Sequence, residues 1–185
     1  MNDFNIEKIR GFEIKLKNKP GIFSEHGLDL GTKLLIDNLE VRNETQVCDL
    51  GCGSGVIGFV VAKLNPYGHI HLLDDSLRAT TLAQENVDGN NLKNVEVYLS
   101  DLFSAVGDRT YHQIFSNPAQ DKGNEFLEEM AAECFKHLKV GGEVTWVVQK
   151  HIKPVIERLF EKYFGNYEIV THGKIHVVIK ARKKN

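Results

Sequence analysis

The sequence predicts an α/β protein: a doubly wound, mostly parallel sheet with helices on both faces and an antiparallel C-terminal hairpin. Three observations predict it. Short apolar runs alternate with helix-period segments from Gln46 to Phe164. A glycine-rich loop joins the first of those runs to its helix. The chain closes with two strand-like runs around His172-Gly173.

The first element is Phe12 to Lys17, whose period-two alternation marks a half-buried strand. Lys19-Pro20-Gly21 predicts a turn. Leu30, Leu34, Leu35 and Leu39 fall at helical spacing, so a helix follows. Gln46 to Leu50 is a strand, and Val56 to Leu64 a helix closed by Asn65-Pro66. His69 to Leu73 and Val95 to Leu99 are the next strands, separated by a helix over Leu77 to Asn90. Gln113 to Ser116 is a fourth strand, followed by an amphipathic helix from Asn124 to Leu138. Gly141-Gly142 opens the fifth strand, Glu143 to Gln149, and Ile152 to Phe164 is a helix. Tyr167 to Thr171 and Lys174 to Ala181 form the antiparallel pair. Sheets of this kind bind ligands at the carboxyl ends of their strands, near the switch in strand order.

The 185 residues, with 42% apolar and 26% charged side chains, suit one domain with a buried core. A net charge of -2 gives no strong global attraction to nucleic acid or anionic membrane, so RNA binding would need a local basic patch. Lys8, Arg10, Lys15, Lys17 and Lys19, with Lys180, Arg182, Lys183 and Lys184, are the basic runs available, although such runs are more often simply solvated. Cys48, Cys52 and Cys134 read as buried reduced thiols. His26, His112, His137, His151, His172 and His176 are scattered over different elements, which reads as surface or packing histidines with no metal site. No signal-peptide run follows Met1 and no stretch has membrane-span length, so the expected location is cytoplasmic.

The loop Asp49-Leu50-Gly51-Cys52-Gly53-Ser54-Gly55 lets a ligand lie against the backbone. Val56 stands where a dinucleotide loop would carry its third glycine, and Asp49 would repel a pyrophosphate. An acid beside Gly51, Cys52, Gly53 and Gly55 better suits a ligand bearing an ammonium and a sulfonium. About 20 residues on, Asp74 at the second strand tip can accept from both ribose hydroxyls, with Asp75 or Ser76 capping the next helix. After the third strand, Asp101 can accept from an adenine amine while Leu102 covers the ring. The three elements together point to S-adenosylmethionine. The fourth strand ends in Asn117-Pro118-Ala119-Gln120, where the Asn117 side-chain carbonyl and the Pro118 carbonyl can hold a planar amine beside the methyl group.

Pro20-Gly21-Ile22-Phe23-Ser24, Gly27-Leu28-Asp29-Leu30-Gly31, the glycine loop and Ser116-Asn117-Pro118 resemble the methyltransferase small domain family over nearly the whole chain. The resemblance implies a Rossmann-like, seven-stranded sheet in a single domain. Residues 1–40 would supply a strand, a flap carrying Phe23 and Asp29, and a helix over the cofactor, and residues 41–185 the core sheet. It also implies a methyltransferase acting on an exocyclic amine of an RNA base, ribosomal RNA first, with Asn117 also touching the cofactor. The departure lies in Ala119 and Gln120, where the family has a second proline and an aromatic or other apolar residue. A lost ring removes stacking worth on the order of 1–3 kcal/mol per base, for which Phe115 or Phe103 could substitute. A protein amide or small-molecule acceptor, or a non-catalytic cofactor-binding module with a degenerate motif, stay open as alternatives.

Overall fold

The computed structural model describes residues 4–17 and 28–185. The predicted Lys19-Pro20-Gly21 turn and Phe23 lie outside the described residues. The chain opens with a hairpin of β1 (Asn5–Ile9) and β2 (Phe12–Leu16). Its two-residue loop, Arg10-Gly11, has φ of 48° and 85°, the doubly positive turn that matches strand twist. This hairpin is its own two-stranded sheet, and β1 has no counterpart in the sequence reading.

The main sheet holds β3 (Gln46–Leu50), β4 (His69–Asp74), β5 (Val95–Leu99), β6 (Tyr111–Ser116), β7 (Leu138–Gln149), β8 (Glu168–His172) and β9 (His176–Arg182). They lie in the order β5-β4-β3-β6-β7-β9-β8. β3 to β7 run parallel, and β9 runs antiparallel to both β7 and β8. The order reverses at β3, and β6 starts the second half, so a crevice opens outside their carboxyl ends. Because β9 is antiparallel, its first residue, His176, pairs with Gln149, the last residue of β7. His176 therefore joins the strand ends at that crevice.

Helices α1 (Leu30–Asp37), α2 (Val56–Leu64), α3 (Leu77–Gly89), α4 (Asn124–His137) and α5 (Lys153–Phe164) cover the two faces. Alternate strand residues explain this. Val47, Ile70, Leu72, Val147 and Val178 face α1, α2 and α3, whereas Cys48, Leu73, Val144, Trp146 and Ile179 face α4 and α5. Ile14 and Leu16 add the hairpin to the first core, where they are buried with Phe59, Val60 and Val87. Cys48, Cys52 and Cys134 are buried and unpaired.

One boundary of the sequence reading changes. The predicted fifth strand begins not at Glu143 but at Leu138, because Gly141-Gly142 sits inside β7 as an irregularity. Gly141 takes φ 79° and donates its N–H to Lys183 O at 2.7 Å, so pairing continues across it. The described residues before 40 divide in their relation to the crevice. Leu28, Asp29 and Thr32 border it, whereas no described hairpin residue does.

Candidate transfer site

A cleft of about 520 Å³ lies along the carboxyl ends of β3, β4, β5, β6 and β7 and the start of β9. That volume falls in the range of small-ligand sites. Its floor is the glycine loop. Gly51 and Gly53 take φ of 70° and 55°, and a Cβ at either would meet no atom within 4 Å. Their bare faces are open to a ligand. Gly55 has the opposite role: at φ 90°, a Cβ there would stand 2.4 Å from Phe59, so it makes room for core packing.

Asp49 is 1% exposed and does not line the cleft, and neither does Gly55. Asp49 Oδ2 instead accepts from Gly58 N at 2.9 Å, serving the first turn of α2 where its N-cap, Gly55, has no side chain to offer. The other carboxylate oxygen is buried without a partner among the described residues. Burial pushes the Asp49 carboxyl up to about 7, against the Gly58 hydrogen bond and with help from Asp74. Cys52 lines the cleft, and burial together with the carboxylates of Asp49 and Asp74 keeps its thiol protonated.

The strand tips are braced to one another. Gly51 N and Cys52 N both donate to Leu73 O, at 2.8 and 3.0 Å. Gly53 N donates to Asp74 Oδ2 at 2.9 Å, and Ser76 N to Asp74 Oδ1 at the same distance. Each Asp74 oxygen thus keeps acceptor capacity while its position is fixed. Ser76, not Asp75, caps α3, accepting from Ala79 N at 3.3 Å. Asp75 is paired across the cleft mouth with Lys122, Nζ to Oδ2 2.6 Å. Asp101 is exposed at the β5 tip, and Leu102 beside it takes φ 45°, a conformation uncommon for a branched residue, with its carbonyl held by Ser100 Oγ at 2.8 Å.

Asn117 follows β6, whose end is tied to β3 by Ser116 Oγ donating to Leu50 O at 2.6 Å. Asn117 Nδ2 donates to Thr32 Oγ1 at 3.0 Å and reaches Asp29 Oδ1 at 3.4 Å. Asp29 is the N-cap of α1, accepting from Gly31 N and Thr32 N, so it acts through a helix end and not from a loose flap. A carboxylate can only accept, so the amide end toward it must be the NH₂ group. Among the described residues Oδ1 has no partner, on a residue that lines the cleft. Pro118 is buried, Ala119 is exposed, and Gln120 Oε1 accepts from Gln149 N at 2.8 Å.

Phe103 and Phe115 are each 2% exposed and do not reach the cleft, so neither replaces the missing ring. Phe103 instead stacks on His137 with centroids 4.3 Å apart. Phe126 and His176 do line the cleft, and sequence reasoning missed both as site residues. For Phe126, three residues into the predicted fourth-strand helix, the signal was its place just after Asn117-Pro118. For His176 there was none before β9 was placed in register. Among the described residues no group of His, Cys, Asp or Glu is arranged to hold a metal, and no helix is long and apolar enough to cross a membrane.

The profile of the methyltransferase small domain family matches residues 13–180. The uncharacterized protein YbxB of Bacillus subtilis (strain 168) is 34% identical over 180 residues, which are 95% of this chain and 89% of that one. Ribosomal RNA small subunit methyltransferase C of Vibrio cholerae is also 34% identical over 180 residues, 94% of this chain. The chain spans only 51% of that relative's length. Among solved structures, the T. thermophilus 16S rRNA N2 G1207 methyltransferase in complex with AdoMet and guanosine superposes with a TM-score of 0.88 at 24% identity. The match covers 98% of this chain and 50% of that one. The ribosomal protein L11 methylase of Lactobacillus delbrueckii subsp. bulgaricus reaches 0.74 at 22% identity, over 92% and 86% of the two chains. With a family profile spanning most of its length, this chain belongs to the methyltransferase small domain family.

Proposed function

We propose that the protein transfers a methyl group from S-adenosylmethionine to an exocyclic amine of a base in ribosomal RNA, the 2-amino group of guanine first. The observation that carries the reading is the direction of the Asn117 amide. Thr32 and Asp29 take its NH₂ end, and its carbonyl is the free acceptor on the cleft wall. A carbonyl fixed there can accept from an amine and hold its lone pair along the line of attack, which is catalysis by positioning. The Pro118 carbonyl is the second acceptor we assign to that amine.

The residues present fit the cofactor. Gly51 and Gly53 leave bare backbone on the floor of the cleft, Asp74 keeps acceptor capacity for ribose hydroxyls, and Asp101 stands at the next tip for the adenine amine. Asp49, buried beside the glycine loop with one oxygen unpartnered among the described residues, can supply negative charge near a cationic ligand. When bound, S-adenosylmethionine supplies an electrophilic methyl group. The chain then positions the amine, and Leu50 and Met130 supply apolar wall to the cleft. The name of the Vibrio cholerae relative, and the guanosine in the T. thermophilus complex, support a ribosomal guanine as acceptor.

The test is direct. The purified protein is titrated with S-adenosylmethionine in a calorimeter, then given tritiated cofactor and an unmethylated transcript of small-subunit ribosomal RNA. Binding with label recovered in methylguanosine is the expected result. Binding without transfer to RNA removes the acceptor from the proposal, and absence of binding removes the proposal.

A further inference from the structure

Followed along the sheet, the cleft rim changes sign. At the β4 and β5 end stand Asp74, Asp75 and Asp101. At β6 stands the neutral amide of Asn117. At the β7 and β9 end stand Lys150 and His151 after β7, His172 and Lys174 in the turn before β9, and His176 within the cleft, with two carboxylates beside them, Asp29 at the start of α1 and Asp121 next to Gln120. The two basic loops are joined, since Lys150 N donates to Ile175 O at 2.9 Å and Gly173 N to His176 O at 2.8 Å. Lys150 and Lys174 are exposed, and among the described residues neither pairs with a carboxylate. Three of the basic residues in the terminal runs are already paired. Lys17 pairs with Glu85, Lys180 with Glu168 and Arg182 with Glu143. Arg182 also sits at the opposite end of the sheet, across from Glu143, so the end of β9 that carries the C-terminal basic run lies away from the cleft.

His176 ties this rim to the chemistry. Its Nε2 and the Asn117 partner Asp29 Oδ1 stand 3.2 and 3.1 Å from the point where a Gly31 Cβ would be. The imidazole has no hydrogen-bond partner among the described residues and borders the same cleft as Asn117. A cationic cofactor suits the acidic end; a polyanion suits the other. We infer that the β7–β9 end of the cleft is a subsite for a nucleotide within an RNA strand, with His176 against the base and Lys150 and Lys174 against the flanking phosphates. The inference rests on the transfer reading above and adds to it where the acceptor enters and what recognises it.

The experiment compares wild type, His176→Ala, the double variant Lys150→Glu/Lys174→Glu, and a control, Lys93→Glu/Lys184→Glu, that makes the same charge change at the far end of the sheet. Each is titrated with S-adenosylmethionine, then with the unmethylated ribosomal transcript across a salt series, and assayed for transfer. All should bind the cofactor as wild type does, which also reports that they fold. The Lys150/Lys174 variant should bind RNA at least tenfold more weakly at low salt. Its plot of log affinity against log salt should be shallower by roughly 0.7 for each lysine. His176→Ala should lose about tenfold in kcat/KM with an unchanged salt slope. The control should match wild type. RNA binding in the Lys150/Lys174 variant equal to the control, or a His176→Ala enzyme with full kcat/KM, overturns the subsite. If wild type transfers nothing yet its RNA affinity and salt slope still depend on Lys150 and Lys174, the surface stands and the transfer reading falls.

Discussion

Thr32 Oγ1 accepts from Asn117 Nδ2 at 3.0 Å, so a hydroxyl on the first turn of α1 anchors the Asn117 amide. Asp29, which can only accept, sets which end of that amide faces the cleft while capping the same helix. Replacing Asn117 by Ala should lower kcat on the order of 100-fold with cofactor affinity nearly intact. Thr32→Val, which keeps the shape and removes one acceptor, should cost roughly 3- to 10-fold in kcat, the worth of one ordinary hydrogen bond. Single-turnover assays at saturating cofactor measure both. Full activity in Asn117→Ala would move the chemistry elsewhere.

Gln120 has a structural role that its place in the motif does not reveal. Read as a missing stacking ring, it invites Gln120→Phe as a gain of function. Its Oε1, however, accepts from Gln149 N and ties the loop after Asn117 to the end of β7. Gln120→Phe should therefore lower activity about as much as Gln120→Ala, roughly 3- to 10-fold. A rise in kcat/KM for RNA in the Phe variant would restore the stacking account.

Asp49 carries a pH dependence whose sign follows from its raised pKa. Burial lifts the folded-state value to about 7, above that of the unfolded chain, so folding favours the protonated acid. Between the two values the folded protein holds the extra proton, and stability falls as pH rises through this window. Above about pH 7 the cost of the buried charge is fully present. Asp49→Asn, which can still accept from Gly58 N, should melt close to wild type near pH 4 and several degrees higher at pH 8. The same variant should bind S-adenosylmethionine more weakly at pH 8, having no charge to offer it. Melting curves parallel across that pH range would remove Asp49 from this role.

Asp74 accepts from Gly53 N and Ser76 N, so its loss should be felt by loop and ligand together. Asp74→Ala should weaken cofactor binding by roughly 1.5–3 kcal/mol, the range for hydrogen bonds to a charged group. Asp74→Asn separates the two effects, because its carbonyl can keep one backbone bond while its charge is gone. Calorimetry on both variants gives the split, and unchanged affinity in either one takes the carboxylate out of the binding site.

Much of the sheet was legible because its signals are local. β3, β5 and α2 fall on the residues that apolar runs and punctuation mark out, and Ser54-Gly55 ends the loop where helix spacing begins. β1 was missed because Asn5-Ile6-Glu7-Lys8-Ile9 is too polar to stand out, and only the Arg10-Gly11 turn makes it a partner for β2. The first half of β7 was lost to Gly141-Gly142, which reads as a breaker but is accommodated by pairing with Lys183. The site divided in the same way. Its glycines and strand-tip acids could be named in sequence. His176 enters only through the register with Gln149, and the tether of Asn117 joins residues 85 positions apart, which no local pattern records.

The bracing of β3, β4 and β6 has a thermodynamic corollary. Gly51, Cys52 and Gly53 hang from Leu73 and Asp74 by main-chain N–H groups, and Ser116 pins β6 to Leu50, so the wall we assign to the cofactor is already hydrogen-bonded in place. A wall already ordered has little conformational entropy left to lose on binding. The heat-capacity change for the cofactor should then be small and negative, set by the apolar area it covers, with no added contribution from loop ordering.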